Sequence, residues 1–120
     1  MALPPEQMRS AVDAERARVR VGFPWWLRPF LMSDVIAITL GHWIFVSRKA
    51  IDRSEEYICG LLRHELVHVK QVNRHGFLKF VFLYLAEFFR HFLRERSINR
   101  AYHRISFEIE AEAAEKAEGL

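Results

Sequence analysis

The chain has 120 residues, about half of them apolar, with 18 Lys/Arg against 15 Asp/Glu, six histidines and one cysteine. One domain over residues 1–120 is expected: the length suits a single core, and the composition excludes a disordered tail protein. The lone Cys59 excludes an internal disulfide and all-thiolate zinc sites, so any metal must be held by His and carboxylate, while a net charge of only +3 gives no reason to expect a nucleic-acid partner.

In chain order, the opening MALPPEQMRSAVDAERARV has no continuous apolar stretch behind a basic start and does not read as a secretory signal. Met8, Ala11 and Val12 fall at helical spacing after Pro4 and Pro5, which predicts a helix from about Glu6. RVRVGF alternates and predicts a short strand, whereas PWWLRPF, interrupted by Pro24 and Pro29, predicts a loop carrying Trp25 and Trp26. DVIAITL and HWIFVS, β-branched and aromatic on either side of Gly41, predict two strands joined tightly there. The longest uncharged run, Val35 to Ser47, is well short of the roughly 20 residues that span a bilayer. The expected location is the cytoplasm, with membrane association left open.

Asp52 followed three residues later by Glu55 fits a capping box, and Gly76 sits where a helix end takes a left-handed residue. Between them Tyr57, Leu61, Leu62, Leu66, Val69 and Val72 recur at helical spacing, which predicts a helix from about Arg53 to His75. In FLKFVFLYLAEFFRHFLRER, from Phe77, the charged Lys79, Glu87, Arg90 and Arg94 gather within roughly a quarter-turn and leave the remaining circumference apolar. Such a helix needs cover, and the candidates are a protein core, a homodimer partner, or peripheral membrane contact through residues 77–93. RERSINRAYHR, residues 94–104, is read as a solvated basic face rather than a phosphate or lipid site. ISFEI is ambiguous between strand and helix; SFEIEAEAAEKAEGL predicts a last helix with Ser106 as N-cap and Gly119 near its end.

The stretch that carries chemistry is RHELVHVKQ, residues 63–71. His64 and His68 are four apart, so both rings leave one helix face and can converge on one metal ion. Glu65, roughly 100° round the helix, can reach a metal-bound water without competing as a ligand. In this H-E-x-x-H constellation zinc acidifies a water and polarises a carbonyl while the glutamate takes the proton. The plain alternative is a helix that carries His and Glu without metal; the motif's position in mid-helix, behind two strands and flanked by apolar residues, favours the metal.

A catalytic zinc also needs a third protein ligand and an open position. His75 cannot supply it, because it lies about 10 Å further along the helix axis than His68. The metzincin pattern would need Gly and His where Gln71 and Arg74 stand. His91 and His103 remain candidates, each with a plain alternative as a surface histidine. On the last helix Glu108, Glu112 and Glu115 share one face at spacings of four and three, with Glu110 nearly opposite. One of these on the metal and the next bonded to a ligand histidine would complete a two-His, one-Glu site; a solvated acidic face is the equal alternative.

HELVH, the following Gln71, and FEIEAE some forty residues later resemble the gluzincin zinc peptidases, and within them the small bacterial minimal forms with an E-x-E-A-[DEN]-like second motif; the resemblance covers roughly residues 35–118. It implies a small single-domain α+β zincin-like fold, with the HExxH helix preceded by a short antiparallel sheet and followed by two further helices. It also implies Zn2+ held by His64, His68 and Glu108, Glu65 as general base, and Glu112 as the carboxylate that orients a ligand histidine, although many relatives carry Asp or Asn there. Large gluzincins supply a Tyr or His to the oxyanion, for which Tyr102 and His103 are the candidates. The implied activity is hydrolysis of a peptide or protein substrate, with HWIFVS as an edge strand to grip it and Trp25, Trp26 and Trp43 as a candidate apolar wall. Two other readings stay open: a non-catalytic zinc-binding regulatory module, and a membrane-surface or interaction protein built on residues 77–93.

Overall fold

In the computed structural model, which describes residues 3–31 and 35–116, the elements run α1 (Glu6–Ala14), β1 (Arg18–Val21), β2 (Ala37–Leu40), β3 (Trp43–Val46), α2 (Glu55–His75), α3 (Phe77–Glu95), α4 (Ile98–Arg104) and α5 (Ser106–Lys116), with 3-10 turns at Arg28–Phe30 and Arg48–Ala50. The class is α+β, as expected: five helices and a three-stranded sheet among the described residues. Gly41, at φ +62°, takes the first central position of the two-residue turn that joins β2 to β3, with Leu40 opposite Trp43.

The sheet differs from the expected antiparallel one. Its order is β1-β3-β2, with β1 parallel and β2 antiparallel to β3. HWIFVS is therefore the central strand and not an edge, and the burial explains why: Ile44, Phe45 and Val46 are all covered, whereas β1 alternates between exposed and half-buried positions. Trp25 and Trp26 stand exposed on an open cleft of about 400 Å³ that Arg20, Arg28 and Arg48 also line. Trp43 lies apart from that cleft, its ring stacked on Phe45 with Arg18 above it, so the three tryptophans form no common wall.

Helix α2 is the spine of the core. Ile58, Leu62 and Val69 have no exposed surface, and they pack with Ile44 and Val46 of β3 and with Met8 and Val12 of α1. The cap is Ser54, whose hydroxyl accepts the Tyr57 N–H at 3.2 Å; the Asp52–Glu55 box does not form, because Arg53 still closes a turn onto the Ala50 carbonyl and the chain becomes helical only after Ser54. At the far end Gly76, at φ +85°, donates its N–H to the Val72 carbonyl at 2.7 Å and turns the chain at once into α3.

Helix α3 is not a core helix: none of its residues is buried. It leans on the rest of the protein through Phe80, Tyr84 and Glu87, the Phe80 ring stacking on Phe107 of α5. Left-handed Arg96 ends it, and Ser97 caps α4 by accepting the Arg100 N–H, so three helices rather than two follow α2. Arg100 and Arg104 both reach Glu95, at 3.4 and 3.0 Å, which neutralises part of the 94–104 basic stretch. ISFEI is helical. Ser106 opens α5 but does not cap it with its own hydroxyl; Glu87 accepts both its N–H (3.0 Å) and its O–H (2.6 Å), placing a carboxylate at the positive end of the helix. Gly119 lies outside the described residues.

Candidate metal centre

Helices α2 and α5 run antiparallel, Phe107 lying beside Gln71 and Glu115 beside Gly60 and Arg63. That pairing sets Glu108 across from the turn between His64 and His68. Both imidazoles aim Nε2 at the same carboxylate oxygen, Oε1 of Glu108, His64 from 3.1 Å and His68 from 3.2 Å. The outer nitrogens are held as well: Nδ1 of His64 donates to Oε1 of Glu115 and Nδ1 of His68 to Oε1 of Gln71, each at 2.9 Å. Gln71 is fixed in turn, its amide donating to Glu110 at 2.7 Å and to the Phe107 carbonyl at 3.1 Å.

His64, His68, Glu65 and Glu108 are all under 10 % exposed, so their charges set one another. Burial draws the His64 pKa down, but the Glu108 bond and the nearby Glu65 and Glu108 charges outweigh it and raise the pKa to about 9. His68 is raised on the same balance, with burial opposing Glu108. Glu108 is driven well below the usual carboxylate range, because its bonds to both histidines and to Tyr84 overcome its burial. For Glu65 burial wins and the pKa rises, against the pull of His68, His64 and Thr39. Both ring nitrogens of each histidine face an acceptor oxygen, Nε2 on Glu108 and Nδ1 on Glu115 or Gln71, the arrangement that a doubly protonated ring satisfies by donating from both nitrogens.

The donor set fits zinc. Four-coordinate zinc with bonds of about 2.0–2.2 Å places neighbouring donors roughly 3.3–3.6 Å apart. The two histidine-to-carboxylate separations, 3.1 and 3.2 Å, are a few tenths of an ångström from that, and the three donor atoms lie within 4.8 Å of one another. Two imidazole nitrogens and one carboxylate also suit manganese, iron or nickel. With Nδ1–H of each histidine already engaged, each Nε2 presents its lone pair to an ion once its proton leaves.

The chain matches no family model, no curated protein and no solved structure.

Around the His64–His68–Glu108 group the other candidates divide. Glu65 projects beside it, held by the Thr39 hydroxyl, which donates to Oε1 at 2.7 Å from strand β2. Tyr102 borders Glu108; burial and then the Glu108 charge raise its pKa. His103 is not in the group: it is exposed and bonds Glu112 at 2.6 Å. That bond also occupies Glu112, so the carboxylate on a candidate ligand histidine is Glu115, one turn further along α5. The reason lies in the antiparallel helix pairing: seven residues on from Glu108 is two turns less roughly 20°, back along α2 toward His64, whereas four residues overshoot by about 40°. His75 packs on Phe107, and His91 is on α3 with its Nδ1 buried and unpaired; neither joins the group.

Two residues escaped the sequence reading. Tyr84 of α3 donates its hydroxyl to Oε2 of Glu108 at 2.5 Å, and Thr39 tethers Glu65. Tyr84 had a legible signal as the one hydroxyl between Phe77 and Phe89, a stretch in which Lys79 and Glu87 are the other polar residues. Thr39 had none, since threonine is ordinary in a strand.

Proposed function

We propose that the protein is a zinc-dependent metallopeptidase that hydrolyses peptide bonds, with His64, His68 and Glu108 as the metal ligands and Glu65 as the general base. Zinc, when bound, supplies Lewis acidity to a water and to the substrate carbonyl. The chain's own side chains do the rest. The Thr39 bond takes Oε1 of Glu65 and leaves Oε2 to accept the proton of the attacking water and to pass it to the leaving amine. Burial raises the proton affinity of Glu65, which suits it to that transfer.

Tyr84 and Tyr102 stay protonated across the working range, because burial and the Glu108 charge raise both. Tyr102, which lies against the group, can donate to negative charge developing on the carbonyl oxygen, whereas the Tyr84 hydroxyl is spent on Oε2 of Glu108 and holds that ligand in place. The substrate backbone has a natural track along β2: that strand pairs only with β3 among the described residues, and it carries Thr39 beside Glu65.

The observation that carries this reading is the convergence of two Nε2 atoms on one oxygen of Glu108 with a tethered carboxylate beside them. The deciding experiment compares wild type with Glu65→Gln, both loaded with zinc, on an unstructured protein substrate, with products read by mass spectrometry. Equal zinc content and a loss of cleavage of about 10²–10⁴-fold are expected. Cleavage that survives the substitution refutes the role of Glu65, and a zinc-loaded wild type that cleaves nothing favours a non-catalytic zinc module.

A further inference from the structure

The outward face of α3 is the largest feature that the metal centre leaves unexplained. Leu78, Phe82, Leu85, Phe89 and Leu93 stand 82, 70, 48, 59 and 65 % exposed. They follow at spacings of four, three, four and four, so they form one stripe about 22 Å long, roughly opposite the face that holds Phe80, Tyr84 and Glu87 against the protein. Five large apolar side chains in one line exceed the scatter of single exposed residues normal on a soluble surface. No helix of the described residues is long and apolar enough to cross a membrane.

The charges on the same helix are sorted. Its two acids are engaged on the protein side, Glu87 by Ser106 and Glu95 by Arg100 and Arg104. Its cations Lys79, Arg90 and Arg94 are exposed and flank one side of the stripe, on the arc they share with Glu87; Arg90 helps to lower the Glu87 pKa, and none of the three makes a salt bridge among the described residues. An apolar stripe with a cationic border is the pattern of a helix that lies in a membrane interface, burying its apolar residues below the headgroups and setting its cations among their phosphates. A second copy fits less well. Face-to-face antiparallel pairing brings like flanks together, so the two cationic borders would meet.

We propose that α3 docks this protein on anionic lipid surfaces, lying in the plane of the interface with Leu78, Phe82, Leu85, Phe89 and Leu93 inserted and Lys79, Arg90 and Arg94 on the headgroups. The proposal stands independently of the metal centre. The test is flotation with phosphatidylcholine vesicles with and without phosphatidylserine, at low and high salt, alongside the solution mass of the protein by light scattering. Wild type is expected to float with the anionic vesicles and to release in salt. Phe82→Glu combined with Phe89→Glu should lower partitioning more than tenfold with zinc uptake and helix content unchanged. Lys79→Gln, Arg90→Gln and Arg94→Gln together should lower it by about 100-fold on anionic vesicles, at about fivefold per cation. That second variant leaves the apolar stripe intact and decides the matter if the first fails to fold. Absence of vesicle binding, binding indifferent to these substitutions, or a dimer that dissociates in the Phe82→Glu, Phe89→Glu variant without any lipid binding would overturn the proposal.

Discussion

Replacing Glu115 with alanine removes the acceptor for Nδ1–H of His64, which lies 2.9 Å away, and leaves every donor to the metal in place. Loss of such a supporting bond typically weakens metal affinity by about 10–100-fold, or roughly 1.4–2.7 kcal/mol. The Glu115 side chain is 47 % exposed, so water can take over part of its role and the low end applies: about tenfold weaker zinc binding. Gln71 is the harder case. It has no exposed surface, so Gln71→Ala strands the His68 Nδ1–H in a dry site and should reach the upper end, about 100-fold. Glu112→Ala should stay within about twofold, because that carboxylate serves His103 instead. Competition titration against a chromophoric zinc chelator orders the three variants. If Glu112→Ala weakens zinc as much as Glu115→Ala does, the antiparallel placement of α5 on α2 and the site built on it are wrong.

Other consequences follow from the same geometry. Zinc must displace the proton on Nε2 of His64, so uptake at pH 7 should release at least about one proton per ion, read by calorimetry in buffers of different ionisation enthalpy, and the release should fall as the pH rises through the His64 pKa of about 9. Zinc uptake without proton release would refute the raised proton affinity of His64. His64 rises from 6.5 to about 9 on folding, so its contribution to the metal-free fold is complete below about pH 6.5 and lost as the pH climbs through 9. Glu108 is shifted the other way, and its contribution disappears in acid. Thermal melts of the metal-free protein should therefore peak between these limits, and a melting temperature that keeps rising from pH 7 to 10 would contradict the pairing. At the start of α2, Ser54→Ala should cost about 1 kcal/mol, a drop in Tm of roughly 3–6 °C, while Asp52→Ala stays within about 0.5 kcal/mol; a reversed order would restore the Asp52–Glu55 box.

The elements that were legible in the sequence are those governed by local chemistry. Apolar spacing along α2, glycines at positions 41 and 76, and prolines around Trp25 and Trp26 each act within a few residues, and each appears where its own physics requires. Local rules were weaker at the start of α2, where Asp52 and Ser54 are both sound caps and the preceding turn decides between them. They also could not place β3. Its apolar run is compatible with an edge or a centre, and only the parallel arrival of β1 makes it central.

His64 and His68 share a face because a helix turns once in about 3.6 residues, and Glu65 stands beside them for the same reason; that much of the site belongs to the sequence alone. The amphipathic charge arc of α3 was equally plain, but which part of its apolar circumference would be covered was not. Glu115 in place of Glu112, Tyr84 on Glu108, Thr39 on Glu65 and the uncovered stripe of α3 come from how α5, α3 and β2 are laid against α2. Helical periodicity specifies direction around an axis and says nothing of the angle or offset at which a second axis crosses it, so these partners were decided by tertiary packing.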